Sequence, residues 1–177
     1  LMIASTEKIY FPYDASNMFR GFAQLNDITF STDVDTSLTT NMSDLFRDDK
    51  ALSTLDVSKL DTSNVKNLSY VFYNCSSLKT IDLSNFNTSK ATTLAYLFYG
   101  CSLLSAIDVS KFDTSNTTDI GAMFYNCSKI TSLSLSNFNT SKVTNMYGLF
   151  NGCSSLTSLD LSNFDTSNVG FMGSMFE

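Results

Sequence analysis

Leu78-Lys79-Thr80-Ile81-Asp82-Leu83-Ser84-Asn85-Phe86-Asn87-Thr88-Ser89-Lys90-Ala91-Thr92-Thr93-Leu94-Ala95-Tyr96-Leu97-Phe98-Tyr99-Gly100-Cys101 is one period of a repeat. Its landmarks return every 26 residues: Phe46, Phe72, Phe98, Phe124, Phe150 and Phe176 form one column, and Leu52, Leu78, Leu104, Ile130 and Leu156 another. Leu55/Ile81/Ile107/Leu133/Leu159 and Val57/Leu83/Val109/Leu135/Leu161 hold the same register. A fixed period of this size marks a stacked array, because one such unit is too small to bury its own apolar face. Residues 17–51 hold a degenerate first copy, in which Phe19 and Phe46 stand 27 apart, with one inserted residue expected near Ser31 to Asp33. Residues 1–16 read as an N-terminal cap. Residues 17–177 read as a single solenoid array, with coils starting at 52, 78, 104, 130 and 156 and the last one truncated.

Each period divides into physical pieces. Leu78 to Ser84 follows an LxxLxLx pattern, whose alternating tail suits a short strand with one buried face. Asn87-Thr88-Ser89 is a turn, and its hydroxyls fit the N-terminus of a helix. Ala91, Leu94, Leu97, Phe98 and Cys101 then recur three or four apart, which predicts a short helix. Asn74, Gly100, Asn126 and Gly152 precede the cysteine column, and Asn and Gly tolerate the left-handed conformation that ends a helix. The expected fold is an α/β repeat solenoid, right-handed, with a parallel β-sheet on one face and short helices on the other. The alternative is an all-β solenoid in which the Val-to-Phe segment is extended.

Composition removes several functional classes. The chain has 177 residues, 43% hydrophobic and 16% charged, with 15 Phe and 8 Tyr, which is too apolar for a disordered chain. A formal charge of −6 opposes nucleic acid as a partner, since phosphate binding needs a Lys/Arg surface. There is no His, so no His-based triad, acid–base pair or metal site exists. No run of about 18 apolar residues is present, and no membrane insertion is expected.

The pattern LxxL-[DS]-[LV]-S-x-[FL]-[DN]-TS, followed by [LIM]-x-x-[VLM]-F-x-x-C, resembles the repeat of BspA-like leucine-rich-repeat surface proteins. The resemblance covers about residues 17–177, and Phe11-Pro12-Tyr13-Asp14-Ala15-Ser16-Asn17-Met18-Phe19 is similar to the lead-in of such arrays. It implies a leucine-rich-repeat-like fold, a bacterial cell-surface or secreted location, and a role in adhesion or binding of host or matrix macromolecules. It implies no enzyme activity and no cofactor.

Three columns are candidates for chemistry. Asp56, Asp82, Asp108 and Asp160, interrupted by Ser134, share the strand position between two buried apolar residues and should face outward. They read as a hydroxyl-buffered solvent face or as a recognition strip for a cationic or polyhydroxylated ligand, with weak Ca²⁺ binding as one version. Tyr73, Tyr99 and Tyr125 form an aromatic column, with Tyr70 and Tyr96 in a shorter one beside it. These read as packing between coils or as a strip for sugar rings or a protein partner. Cys75, Cys101, Cys127 and Cys153 occupy one position, expected to be a structural column of buried free thiols rather than disulfides or metal ligands. No catalytic residue is expected: Thr-Ser pairs recur without a general base, and repeated carboxylates do not converge. The expected function is a non-catalytic binding or adhesion module for a protein or glycan ligand. The alternative is a spacer within a larger surface protein, and the open last coil offers a surface for self-association.

Overall fold

The computed structural model describes residues 2–3, 8–30 and 34–177. It is a stack of coils with very short strands: β1 (Met2–Ile3), β2 (Ile9–Tyr10), β3 (Asp27–Phe30), β4 (Val34–Asp35) and β5 (Thr54–Leu55). β1, β3 and β5 form one parallel sheet and β2 and β4 another, with Ile28 opposite Leu55 and Tyr10 opposite Asp35. Single parallel bridges carry the stack onward through Asp14, Asn41, Asn67, Thr93, Asp119, Asn145 and Phe171, each paired with the next. The segment read as a cap contributes Asp14 to this ladder and buried Phe11 to the core. Asp14 and Asn41, like Ile28 and Leu55, pair at 27 residues, Tyr10 and Asp35 at 25, and the later bridges at 26; the insertion expected near Ser31 to Asp33 lies outside the described residues.

The expected helices are absent among the described residues, which overturns the α/β solenoid. The segment 91–101 is a string of turns. Leu97 N–H bonds to Leu94 O, Tyr99 N–H to Tyr96 O and Cys101 N–H to Phe98 O, each three residues back. The intervening amides leave the coil: Leu94, Tyr96, Phe98 and Gly100 donate to Asp119, Gly121, Met123 and Tyr125 of the next one. Two left-handed residues per coil, four apart, make this possible, as at Tyr70 (φ 61°) and Asn74 (φ 61°) or Tyr96 (φ 59°) and Gly100 (φ 71°). An α-helix spends its amides within itself and admits no left-handed residue. Here half of the amides tie neighbouring coils together. The all-β alternative is not met in full either, because this segment is not extended and the strands are only two to four residues long.

Strands stay short for a local reason. Asp56 follows β5 directly, and its carboxylate accepts the Ser58 N–H at 2.9 Å, turning the chain after two residues. The core runs down the stack. Phe19, Phe46, Phe72, Phe98, Phe124, Phe150 and Phe176 form one aromatic ladder with ring centroids 5.3–6.0 Å apart and planes within 17°. Leu52, Leu68, Leu78, Leu94, Leu104, Ile120 and Ile130 are fully buried around it.

Buried threonines hold the coils in register. Thr36, Thr62, Thr88, Thr114 and Thr140 are buried, and each donates its hydroxyl to a backbone carbonyl of the next coil: Asp61, Asn87, Asp113, Asn139 and Asp165. This corrects the reading of the Thr-Ser pair as a helix cap: the Thr bridges coils, and the Ser amide is held by the preceding Asp or Asn. The residue after that pair alternates between Asn64, Asn116 and Asn168 and Lys90 and Lys142, and the two types interlock across coils. Asn64 and Asn116 give their amide N–H to Ser37 and Ser89 of the coil before, and their Oδ1 accepts Lys90 and Lys142 from the coil after.

Candidate functional site

The acidic strip is built from turn-closing residues. Asp56, Asp82, Asp108 and Asp160 are exposed, and each accepts the amide two residues on, from Ser58, Ser84, Ser110 and Ser162, at 2.8–2.9 Å. Hydrogen bonds from the Ser58 and Ser110 hydroxyls, then their amides, hold the Asp56 and Asp108 carboxyls below the usual range. For Asp82 and Asp160 the Ser84 and Ser162 amides lead, followed by their hydroxyls. The same device closes two further corners of each coil. Asp61, Asn87 and Asp113 hold Ser63, Ser89 and Ser115, while Asn41, Asn67 and Asp119 hold Ser43, Ser69 and Gly121. The strip therefore has a local structural use at every coil. Its upper part lines a shallow groove with Asp27, Thr54, Leu55, Asp56, Thr80, Ile81 and Asp82. Among the described residues, no group of three or more acidic or thiol side chains converges around a metal-sized space.

The tyrosines assemble into a surface. Tyr73, Tyr99 and Tyr125 stack at 4.6 and 4.7 Å with planes 8° and 16° apart, and Tyr70 stacks on Tyr96 at 4.6 Å. The two columns interlock, with Tyr70–Tyr73 at 5.6 Å and Tyr96–Tyr99 at 5.8 Å. All five are half-buried. Spacing of this kind follows from coils that stack at the strand-to-strand distance. Arg47 closes one end: its guanidinium lies 5.2 Å from the Tyr70 ring and 4.6 Å from the Tyr73 ring. Asp44 at 2.8 Å and Asp48 at 3.4 Å fix that guanidinium in place. Gly148 closes the other end, at φ +59°, where an added Cβ would stand 3.0 Å from Tyr125 Cδ2. Burial pushes the Tyr70, Tyr96 and Tyr99 hydroxyls above their ordinary range.

Arg47 is not among the site residues expected from the sequence, although it stands 26 residues before Tyr73 and so heads the same column. The groove beside the acidic strip is lined by no tyrosine, so the acidic strip and the tyrosine columns do not make one site.

The cysteines form no disulfide. Cys75, Cys101, Cys127 and Cys153 are free, and each thiol donates to a carbonyl at 3.1 Å: Phe46, Phe72, Phe98 and Phe124 respectively. Burial pushes the Cys75, Cys101 and Cys127 thiols far up, and the partly exposed Cys153 up to about 11. An aromatic disulfide reagent at pH 8 should therefore leave the first three unreacted in the native protein and modify Cys153 slowly. All four should react at once in guanidinium. Fast native reaction of more than one thiol would contradict this packing.

Comparison with known proteins places the chain in a family. The model of a family described as "Mycoplasma protein of unknown function, DUF285" matches residues 13–130 and again residues 92–177. The two matches start three repeats apart, as they must when a multi-coil model can be laid on a repeating array in more than one register. Among solved structures, a leucine-rich repeat protein of T. pallidum is 15% identical, covering 96% of this chain and 79% of its own, with a TM-score of 0.44. A leucine-rich repeat protein from Eubacterium ventriosum is 19% identical, covering 97% of this chain and 43% of its own, also at 0.44. Among curated proteins none matches. None of these comparisons indicates an enzymatic family. With the family model spanning nearly all of its coils, the chain belongs to the DUF285 family.

Proposed function

We propose that this chain is a non-catalytic protein-binding module whose contact surface is the tyrosine ladder capped by Arg47. The observation that carries the reading is the ladder itself: five half-buried tyrosines in two joined columns, held rigid by stacking and by a cation. Rigid Tyr and Arg are the residue types that dominate protein contacts, because they offer large area at low entropic cost. The geometry favours a protein over a sugar. A sugar ring packs on an aromatic face, and here Tyr73 and Tyr99 have both faces covered by neighbouring rings or Arg47. What remains for a partner are ring edges and hydroxyls, which suit backbone carbonyls and side-chain acceptors of a polypeptide.

The resemblance of the 26-residue repeat to BspA-like surface proteins supports a wider setting: display on a bacterial cell surface or secretion, and adhesion to a host, matrix or neighbouring-cell protein. Immobilised matrix and cell-surface proteins probed with this chain supply the test. The combined Tyr73→Ser, Tyr99→Ser and Tyr125→Ser variant, shown by circular dichroism to stay folded, should bind at least about tenfold more weakly. The combined Asp56→Asn, Asp82→Asn, Asp108→Asn and Asp160→Asn variant should bind like the parent. Loss on the aspartate side alone would move the site to the acidic strip. No binding by any of the three proteins would leave the spacer reading.

A further inference from the structure

One side chain breaks the repeat in the core. The column that holds Cys75, Cys101, Cys127 and Cys153 begins with Asp49. Asp49 is completely buried. Its Oδ1 accepts the Phe22 N–H of the coil before at 2.7 Å, while Oδ2 is enclosed and has no hydrogen-bond partner. Where the later coils place a neutral thiol that needs one acceptor, this coil places a carboxyl with one oxygen satisfied.

We propose that Asp49 is a proton-operated latch that fastens the coil of Phe19 to the coil of Phe46, closed when its carboxyl is protonated and weakened when it is ionised. The groups packed around it allow this. The preceding coil offers the amide of Phe22, and Gly21 N–H bonds to Arg47 O at 2.8 Å, so the two corners meet here. Arg20 of that coil is turned to Asn17 and is exposed. On its own coil, Arg47 is committed to Asp44 and Asp48, Lys50 is exposed, and Asp48 adds a like charge that disfavours ionisation. The following coil presents the Cys75 thiol, which donates to Phe46 O rather than to Asp49. No cation faces the buried oxygen among these groups. Burial accordingly pushes the Asp49 carboxyl up to about 6, against the lowering by the Phe22 and Gly21 amides.

The sign follows from linkage. A carboxyl at about 6 in the closed corner and at its ordinary 3.8 when the corner opens binds its proton more tightly when closed. The added stability is complete below pH 3.8 and is lost as pH rises through 6. Phe19 stacks on Phe46 at 5.6 Å across the same two coils, so a weakened corner loosens the top of the aromatic ladder. The junction between the Phe19 and Phe46 coils is thus locked by acid.

Hydrogen exchange of the Gly21 and Phe22 amides, corrected for the intrinsic pH dependence of exchange, reads the latch directly. Protection in the full chain should be about tenfold or more higher at pH 4 than at pH 7. Asp49→Asn keeps an acceptor for Phe22 but cannot ionise, and its protection should be independent of pH. Asp49→Cys restores the residue of the other coils and should be pH-independent too, which covers the case of a poorly folded Asn variant. Flat protection in the parent would overturn the proposal, as would a pH dependence that survives in either variant.

Discussion

Phe98→Ala is expected to lower the unfolding free energy by about 3–5 kcal/mol, the range for truncating a fully buried Phe. Phe98 has no exposed surface and sits between Phe72 at 5.3 Å and Phe124 at 5.9 Å, with planes 9° apart on both sides. Removing the ring breaks two stacking contacts and opens a hole at the centre of the ladder. The surroundings cannot close it cheaply, because each coil is held at a fixed spacing from its neighbours by amides such as Phe98 N–H to Met123 O and Phe72 N–H to Leu97 O. The defect should also be felt in cooperativity. In a stack, stability is the sum of units and nearest-neighbour interfaces, and this change weakens the two interfaces in the middle. Urea unfolding should show a lower midpoint and a shallower or divided transition. Leu103→Ala, at a residue 42% exposed, should change the free energy by less than about 1 kcal/mol. A Phe98→Ala loss no larger than that of Leu103→Ala would mean the ladder does not carry the core.

That ladder is legible in the sequence, and so is its burial from Phe19 to Phe150, while Phe176 is 64% exposed. A column of Phe at constant spacing has one physical meaning in a chain this size: stacked units sharing a core. The path of the backbone between the columns was not legible, and the reason is specific. Ala91, Leu94, Leu97, Phe98 and Cys101 are spaced three and four apart, which matches a helix with 3.6 residues per turn. It matches equally well a string of turns with a left-handed residue every fourth position, and the segment from Ala91 to Cys101 is too short to separate the two periods. Asn74, Gly100, Asn126 and Gly152 announced one of the two left-handed positions, and all four have positive φ. The other holds Asn17, Asp44 and Gly148 but also Tyr70, Tyr96, Ala122 and Ser174, so in the middle coils its residue types give no warning. Their conformation is imposed by the inter-coil bonds on either side, as when Tyr70 N–H reaches Ala95 O.

The candidate site was legible in part for a similar reason. The aspartates looked functional because they were charged, aligned and outward, yet a turn closed by a carboxylate produces all three properties without a ligand. The tyrosine column was visible as a column. Its rigidity came into view only with Arg47 and Gly148 at its ends, since neither is aromatic and neither repeats the column's residue. Asp49 shows the opposite case. It stood in the cysteine register from the start, and only its complete burial shows that a carboxyl there is an exception with consequences.

Thr62→Val is expected to cost about 2–4 kcal/mol, although it changes almost no volume and removes no apolar surface. Thr62 is buried, and its hydroxyl works in both directions between coils: it donates to Asn87 O at 2.9 Å and accepts Asn87 N–H at 2.7 Å. Valine keeps the shape and withdraws both partners at once. The peptide N–H and C=O of Asn87 then lose that partner at a part-buried junction, and a group left unsatisfied there costs up to about 1–3 kcal/mol. Because the bond joins two coils, the loss falls on the interface rather than on either unit. Exchange protection should drop at Asn87 and at Val65, whose amide bonds to Thr62 O. Thr62→Ser retains the hydroxyl and loses only a methyl group, so it should cost no more than about 1 kcal/mol. Equal losses for Val and Ser would show that the methyl group matters and the hydroxyl does not. A large difference would identify the buried hydroxyl column as what sets the register of the stack, and would explain why Thr stands at this position in each of the five coils from Thr36 to Thr140.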